Sequence, residues 1–450
     1  MIIKQIYTNC LSQASYYIES NGESLIIDPI RDIDQYDNLL KKNKSNLQYI
    51  LETHFHADFI SGHIELSKKY GIPIVFGPHA NTKFNSVNKE DGDIIKLGDI
   101  EIKVIHTPGH TLESVCYLLY DKNKKQKALF TGDTLFIGDI GRPDLAVNNN
   151  LSINDLACML YDSLYNKIMN LDENIIIYPA HGPGTQCGKN LSEKTFSTLN
   201  EQKKSNYALK FKSKRDFVSS IIKNLPPAPD YFKDSAMLNK NGYKTKIGDI
   251  KNFTISEIKL LYNKGVNLLD SREASDFSNI HIKKSINIPL NGRYAITAAN
   301  IIDVNKNVII VCNKGDQNES VVRLRRVGFE NIIGCFISDM NVIELKSLTS
   351  SLTSESSYNA HNNKDYKFID VRTKNEYSSK HVESSINIPL FDLNNNISLI
   401  DKNEKYMVYC RSGYRSSVAT SILKKNKINN LINIREGMNG LLNNKSIRFN

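Results

Sequence analysis

The stretch THFHADFISGH, residues 53–63, places two histidines and an aspartate within five positions of one another. The apolar run at 48–53 predicts a strand, so His54, His56 and Asp58 stand on the loop that leaves its carboxyl end. Imidazole and carboxylate groups are the ligands of zinc and of non-haem iron. We therefore predict that this loop contributes to a metal site.

Three later motifs carry further candidate ligands. They are HTPGHT with His110, TGDT with Asp133 and PAHGPG with His181. A lone histidine is more often a core or surface residue, but the joint pattern of four motifs favours metal binding. Three other histidines fit no position in this pattern and are interpreted as structural: His63, His79 and His106.

The first part of the chain, residues 1–185, alternates short apolar runs with helical patterns, for example at 63–70 and 154–170. This alternation predicts a mixed α/β domain. Prolines at 226, 227 and 229 cannot continue a helix, so we end the first domain after them and place it at 1–240.

The rest of the chain contains an internal repeat. Residues 267–290 overlay residues 367–390 at an offset of 100, and both segments contain the letters SINIPL. So long a match predicts two homologous α/β domains, which we place at 245–345 and 363–450. The segment 347–363, rich in Ser, Thr and Asn, is typical of a linker between them.

Composition and charge exclude several classes of protein. The 450 residues carry a net charge of +10, but the lysines are spread along the chain without a nucleic-acid-binding motif, so we predict no nucleic-acid partner. Seven scattered cysteines without a C-x-x-C pair predict reduced thiols and a cytoplasmic location. No apolar run reaches the roughly 18 residues of a membrane span and the N-terminus has no signal-peptide pattern, so we expect neither membrane insertion nor secretion.

A candidate reactive-cysteine loop, YCRSGYRSS at 409–417, lies near the C-terminus. Cys410 ends a predicted strand and the loop opens a helix, so its backbone N–H groups, with Arg411 and Arg415, form an anion-binding nest. Such an environment lowers a thiol pKa and stabilises a thiolate or a persulfide anion. We therefore predict that Cys410 is a reactive thiol.

The middle domain has the corresponding cysteine, Cys312, in the loop CNKGDQN. Asn313 and Gln317 replace the two arginines, and Asp316 adds a negative charge near the thiol. Because a thiolate is less stable beside a like charge, we interpret this domain as a degenerate, structural or docking copy. Cys312 nevertheless keeps the position of the nucleophile.

The order of the four N-terminal motifs resembles the metallo-β-lactamase fold superfamily over about residues 1–200. The resemblance implies an αββα sandwich that carries its metals at the loop ends between two sheets. Dinuclear members use an Asp-His pair for the second metal, but here Asp58 is followed by Phe59, so we expect a single metal.

Two further stretches, LFIGDIGRPDL at 135–145 and PAHGPGTQCGKNLS at 179–192, resemble the persulfide dioxygenase branch of this superfamily. That resemblance implies one Fe(II) per chain, with zinc as the alternative. The implied ligands are His54, His110 and Asp133. Three neighbours are implied as residues around these ligands or as ligands of an alternative second metal: His56, Asp58 and His181.

Three more residues near these motifs are candidates for function. Arg142 either holds the anionic tail of a thiol carrier, as a substrate-binding residue, or pairs structurally with Asp144. Cys187, in the loop after His181, and Cys10, in NCLSQ, are candidate redox thiols. The alternative for both cysteines is packing as small buried hydrophobes.

The C-terminal domain, with FIDVR at 368–372, the Cys410 loop and REGM at 435–438, resembles rhodanese sulfurtransferases, and the middle domain shares that frame. The whole chain resembles bacterial fusions of a metallo-β-lactamase-fold persulfide dioxygenase with one degenerate and one functional rhodanese domain. The implied fold class is multidomain α/β, an N-terminal αββα metallo-β-lactamase sandwich followed by two rhodanese-like α/β domains.

This resemblance implies a role in sulfide detoxification. A persulfide of glutathione, coenzyme A or a similar small thiol is oxidised by O2 to sulfite, and sulfur carried on Cys410 converts sulfite to thiosulfate. We also expect a homo-oligomer. Two alternatives stay open, a dizinc thioester hydrolase of the hydroxyacylglutathione type with sulfurtransferase modules and a non-catalytic sulfur-trafficking scaffold.

Overall fold

A computed structural model describes residues 1–147, 150–188, 191–245, 248–337, 345–362 and 365–450. The chain divides into two compact units, Met1–Lys246 with Arg325–Gly328, and Ile247–Leu324 with Phe329–Asn450. The predicted start of the third domain at residue 363 lies outside the described residues, as do residues 338–344 of the predicted middle domain.

The first unit contains two six-stranded sheets. The strands of the first sheet, in spatial order, are β1 (Ile2–Thr8), β2 (Gln13–Ser20), β3 (Glu23–Ile27), β4 (Asn46–Leu51), β5 (Ile74–Phe76) and β6 (Val87–Asn88). Those of the second are β7 (Ile94–Leu97), β8 (Ile100–His106), β9 (Val115–Tyr120), β10 (Gln126–Gly132), β11 (Ile176–Pro179) and β12 (Ser197–Thr198). The helices are α1 (Asp34–Asn43), α2 (His63–Tyr70), α3 (Ile153–Asp162), α4 (Leu199–Ser205), α5 (Lys214–Ile221) and α6 (Tyr231–Asn241).

Strand β9, with the sequence VCYLLY, shows how the layers of this unit are built. Successive side chains of a strand point to opposite faces of its sheet. Tyr117 and Leu119 pack in one buried cluster with residues of the first sheet such as Tyr16, so the two sheets face each other. Cys116 and Leu118 pack in a second cluster with helical residues of α3 and α5. Because β9 is covered on both faces, its sequence is a continuous apolar run.

The helix predicted at 154–170 is confirmed in its first part and differs in its second. Helix α3 begins after a capping box in which the Ser152 side chain accepts from the Asp155 backbone N–H. After Asp162 the backbone widens into a π-helical turn at Ser163–Lys167 and ends in a 3₁₀ turn. The Ser163 hydroxyl donates to the carbonyl of Pro108 at 2.8 Å, which ties this turn to the loop before His110.

Two pairs of parallel strands bring the metal-site motifs together. Strand β3 is parallel to β4 in the first sheet, and β10 is parallel to β11 in the second. Parallel neighbours end at the same edge of a sheet, where ligand sites collect in α/β proteins. The residues that follow these four strands therefore lie at two sheet edges.

The second unit contains a four-stranded, a five-stranded and a two-stranded sheet. Its strands are β13 (Asn267–Asp270), β14 (His281–Ile282), β15 (Ile286–Asn287), β16 (Val308–Val311), β17 (Ile332–Phe336), β18 (Thr349–Ser350), β19 (Thr353–Glu355), β20 (Lys367–Asp370), β21 (Ile386–Asn387), β22 (Tyr406–Tyr409) and β23 (Leu431–Ile434). Its helices are α7 (Ile255–Asn263), α8 (Ala274–Asn279), α9 (Tyr294–Ile301), α10 (Gln317–Arg325), α11 (Lys374–Ser379), α12 (Tyr414–Lys425) and α13 (Gly437–Leu441).

The internal repeat of the sequence reappears in the two larger sheets of this unit. Their strand orders, β15-β13-β16-β17 and β21-β20-β22-β23, correspond, with β19 added at the edge of the second. Every one of these neighbouring pairs is parallel. In both copies the aspartate at the end of the first strand pairs with the arginine two residues later, Asp270 with Arg272 and Asp370 with Arg372.

Within the described residues, every helix is too short or too polar to cross a lipid bilayer.

Candidate metal centre and sulfur-carrying loops

The three predicted metal ligands, His54, His110 and Asp133, come together at the sheet edges. One ligand atom of each lies within 4.8 Å of those of the other two, and all three residues are buried. The Nε2 atoms of His54 and His110 lie 3.9 Å and 3.5 Å from Oδ2 of Asp133. His54 follows β4 and Asp133 follows β10, so each sheet contributes to this group.

Hydrogen bonds fix the orientation of both histidines. The Thr53 hydroxyl donates to Oδ2 of Asp28 at 2.9 Å, so it accepts the Nδ1–H of His54, also at 2.9 Å. The Nδ1–H of His110 donates to the carbonyl of Arg142 at 2.9 Å. In both rings Nε2 therefore carries no proton, and its lone pair is available to a metal ion beside Asp133. Metal-binding histidines have this arrangement.

A second group of donors lies on the other side of Asp133. It consists of His56, Asp58 and His181, again with ligand atoms within 4.8 Å of one another. The Nε2 of His181 lies 3.5 Å from Oδ2 of Asp58 and 3.4 Å from Oδ1 of Asp133. Asp133 thus presents one oxygen to each group, and the ring of Phe59 lies 4.3 Å from that of His56.

The donor atoms fit a metal ion because the protein leaves them without partners. Among the described residues, both carboxylate oxygens of Asp133, Oδ1 of Asp58, Nε2 of His181 and Nδ1 of His56 are buried without a hydrogen bond. Burial raises the pKa of Asp58, and burial together with the neighbouring histidines lowers the pKa of His54. Buried unpaired polar groups are costly, and a bound cation satisfies this cluster of anionic and neutral donors together.

A cleft of about 650 Å³ opens beside His110. Its lining combines apolar side chains with charged groups of both signs: Phe55, Phe232, Met237, Lys233, Lys240, Glu113, Asp144 and Asp230. Such a lining suits a ligand that has an apolar part and charged groups.

The loop that follows β22 surrounds the Cys410 thiol. The backbone N–H of Gly413 donates to Sγ of Cys410 at 3.1 Å, as a nest of N–H groups predicts. Gly413 has φ +98°, and a Cβ there would lie 1.8 Å from the carbonyl oxygen of Arg435, so only glycine fits. Arg411 is exposed, and Arg415 makes two hydrogen bonds of 2.7 Å to the carboxylate of Glu376.

The corresponding thiol of the middle domain has a different neighbour. Cys312 is buried after β16 and lies within hydrogen-bonding reach of the Cys335 thiol of β17. That hydrogen bond and burial raise the pKa of Cys312.

Comparisons with known proteins identify the domains. A model of the metallo-β-lactamase superfamily matches residues 8–181, and a model of the rhodanese-like domain matches residues 254–337 and 353–444. The chain has an N-terminal metallo-β-lactamase domain followed by two rhodanese-like domains. The predicted fold class is confirmed, and both families indicate an enzyme.

Similar proteins cover different parts of the chain. The hydroxyacylglutathione hydrolases of Francisella philomiragia subsp. philomiragia and Francisella tularensis subsp. novicida are each 36% identical over 174 residues, 38% of this chain and 64% of theirs. A metallo-β-lactamase structure from Staphylococcus aureus subsp. aureus COL is 29% identical with a TM-score of 0.68, and the match covers 75% of this chain and 99% of that one. ETHE1 from Myxococcus xanthus is 26% identical with a TM-score of 0.46, over 53% of this chain and 98% of that one. The match thus spans less than two thirds of the curated relatives' length.

Two residues of the metallo-β-lactamase domain, Asp28 and Glu52, complete the buried network around the histidines and were not predicted from the sequence. Asp28 accepts from Thr53, as described, and its Oδ1 lies 3.0 Å from Nε2 of His56. Glu52 lies 3.7 Å from the same His56 nitrogen, and burial raises the pKa of its carboxyl. The available signal for Asp28 was its place directly after β3, the parallel neighbour of β4.

The remaining predicted residues of this domain are Arg142, Cys187 and Cys10, and their surroundings differ. Arg142 is buried and forms the ion pair with Asp144 that the structural alternative describes, with additional bonds to the carbonyls of Gln186 and Pro226. Cys187 is buried with its Sγ in one group with Asp133 and His181, and burial raises the pKa of its thiol. Cys10 lies between β1 and β2 and belongs to none of the buried donor groups found among the described residues.

Proposed function

We propose that this chain is a non-haem Fe(II) persulfide dioxygenase coupled to rhodanese sulfur transfer. The observation that carries the proposal is the convergence of two imidazoles and one carboxylate, from His54, His110 and Asp133, on one buried point. This is the ligand set of non-haem iron enzymes that use O2. The reaction is R–S–SH + O2 + H2O → R–SH + SO3²⁻ + 2 H⁺.

In this proposal the protein positions the reactants. Thr53 and the carbonyl of Arg142 hold the two imidazoles in the tautomer that presents Nε2 to the ion. The cleft beside His110 takes the thiol carrier, and Lys233 and Lys240 attract its anionic groups. Glutathione, coenzyme A and similar thiols meet this description. The ferrous ion supplies the redox chemistry with O2.

In this proposal the C-terminal rhodanese-like domain converts the sulfite product to thiosulfate. A persulfide on Cys410 transfers its outer sulfur to sulfite: Cys410–S–S⁻ + SO3²⁻ → Cys410–S⁻ + S2O3²⁻. The Gly413 N–H stabilises the negative charge on the Cys410 sulfur before and after transfer. The exposed Arg411 adds positive charge near the loop, which favours the approach of anions, whereas the charge of Arg415 is paired with Glu376.

A second candidate is a hydroxyacylglutathione-type thioester hydrolase with two zinc ions. The observation that favours it is the group of His56, Asp58 and His181, which adjoins the first group through Asp133 and could hold a second metal. The name of the Francisella relatives points to the same activity. Phe59 argues against it because this ring takes the place of a nitrogen donor beside Asp58.

The His110→Ala variant tests the proposal, with His106→Ala from the same HTPGHT motif as the matched control. We expect His110→Ala to lose bound iron and oxygen uptake with a persulfide, because one of three ligands is gone. His106 instead bonds the Leu112 carbonyl and lies outside the donor groups, so His106→Ala should keep both. Oxygen uptake in His110→Ala at the wild-type rate would contradict the proposal.

The cytoplasmic location and the homo-oligomeric state stay predictions from the sequence. All seven cysteines are free thiols, which is compatible with a reducing compartment.

A further inference from the structure

The middle rhodanese-like domain places two cysteines side by side where its C-terminal counterpart has one. Strands β16 and β17 are parallel with Ile310 opposite Cys335, and Cys312 lies two positions further on, on the same face of the sheet. The two thiols lie within hydrogen-bonding reach. The sheet thus brings together two sulfurs that are 23 residues apart in sequence.

The C-terminal copy has no thiol at the corresponding position. There Val408 of β22 lies opposite Asn433 of β23, as Ile310 lies opposite Cys335. Asn433 is therefore the equivalent of Cys335. The copy whose loop lacks the two arginines contains a second cysteine beside the first, and the copy whose loop contains them does not.

One buried donor near this pair is without a partner. The Tyr294 hydroxyl is fully buried and has no hydrogen bond among the described residues, and both thiols act on it electrostatically. The guanidinium of Arg323, 5.6 Å from the centre of the Tyr294 ring, instead donates to the carbonyls of Leu290 and Gly292. An unmade hydrogen bond in the interior is costly, so the Tyr294 hydroxyl indicates a site that receives an acceptor.

We propose that Cys312 and Cys335 form a redox-active dithiol that releases sulfide from a persulfide. A persulfide first transfers its outer sulfur: R–S–SH + Cys312–SH → R–SH + Cys312–S–SH. The Cys335 thiolate then attacks the inner sulfur of Cys312, a Cys312–Cys335 disulfide forms, and HS⁻ leaves. The persulfide supplies both oxidising equivalents, and two molecules of R–SH restore the dithiol with formation of R–S–S–R.

The groups around the cysteine pair favour the second step, in which Cys335 attacks the inner sulfur of Cys312. In the free dithiol the hydrogen bond from Cys312 lowers the pKa of Cys335, so Cys335 is the more acidic thiol of the pair. The Tyr294 hydroxyl is a donor for the sulfur that leaves as an anion. Cys312 is 3% exposed and Cys410 is 1% exposed, so the two thiols are about equally buried.

This inference goes beyond the proposed function and takes from it only the class of sulfur donor. The middle domain then has an activity of its own, so the account differs from the degenerate copy that the loop sequence predicts. Because the step needs neither a metal nor O2, it can be measured separately from the dioxygenase reaction.

The test uses the full-length Cys410→Ser protein under anaerobic conditions, mixed with one equivalent of glutathione persulfide. We expect release of about one sulfide per chain, and mass spectrometry of non-reduced peptides should show a Cys312–Cys335 cross-link. Adding Cys335→Asn, which installs the residue of the C-terminal copy, should lower sulfide release more than tenfold and leave a persulfide on Cys312. Cys158→Ser is the control and should change neither readout.

A second oxidant separates this inference from the proposed function. Diamide, which oxidises neighbouring thiols directly, should produce the same cross-link even if the chain is not a dioxygenase. Tyr294→Phe should slow sulfide release roughly tenfold while leaving the diamide cross-link intact, since only the leaving anion needs the hydroxyl. The inference is wrong if neither reagent yields the cross-link, or if Cys335→Asn and Cys335→Ala release sulfide at the rate of their parent.

Discussion

Replacing Thr53 by valine should weaken metal binding although Thr53 is not itself a ligand. Its hydroxyl makes two buried hydrogen bonds of 2.9 Å, one to the Asp28 carboxylate and one from Nδ1–H of His54. Valine has nearly the same shape but makes neither. Asp28 keeps the backbone N–H of Thr53 at 2.8 Å, so the loss falls mainly on His54, whose ring is then free to change tautomer or rotate.

The expected decrease in metal affinity follows from the loss of the hydrogen bond between Thr53 and His54. Removing a group that orients a histidine ligand lowers metal affinity by about 10–100-fold, or about 1.4–2.8 kcal/mol. Anaerobic titration with Fe(II) against a competing chelator measures this directly. The matched control is Thr131→Val, because Thr131 is also buried but donates to the Leu135 carbonyl rather than to a ligand. If Thr53→Val binds iron within twofold of wild type, or Thr131→Val loses as much as Thr53→Val, the argument is refuted.

Three other predictions concern the two reactive sites. Asp133→Asn should lower iron affinity more than about 100-fold in the same titration, because an amide lacks the charge and one of the acceptor oxygens that face the histidines. Cys410→Ser should abolish thiocyanate formation from thiosulfate and cyanide but retain oxygen uptake, with sulfite replacing thiosulfate as product. The hydrogen bonds from Arg415 lower the pKa of Glu376 from 4.5 to about 2, so this pair stabilises the fold above pH 4.5 and the stabilisation is lost as the pH falls toward 2. Glu376→Gln should therefore flatten the decline of the thermal midpoint between pH 5 and 2, measured by circular dichroism.

Much of the fold could be predicted because its signals are local. The apolar run at 48–53 overlaps β4 (Asn46–Leu51), and the helical pattern at 63–70 coincides with α2. The second half of the pattern at 154–170 was not predictable in the same way. A π-helical turn keeps the spacing of apolar residues close to that of an α-helix, so periodicity does not reveal it.

The candidate ligands could be found because each belongs to a short motif at a strand end. Asp28 and Glu52 could not, since their proximity to His56 depends on how neighbouring strands and loops pack. The sequence does not indicate a role for Cys335 for a related reason. It stands in an ordinary apolar strand, and only the parallel register of β16 and β17 brings it to Cys312.

The central claim, that the metallo-β-lactamase domain is an iron-dependent persulfide dioxygenase, is tested most directly by one measurement on anaerobically purified protein. Metal content is determined first, and the same sample is then assayed for oxygen uptake and sulfite with glutathione persulfide and for cleavage of a hydroxyacylglutathione thioester. The account predicts one iron per chain and one O2 consumed for each sulfite formed, with no thioester cleavage. Two zinc ions per chain, thioester cleavage and no oxygen uptake would contradict it.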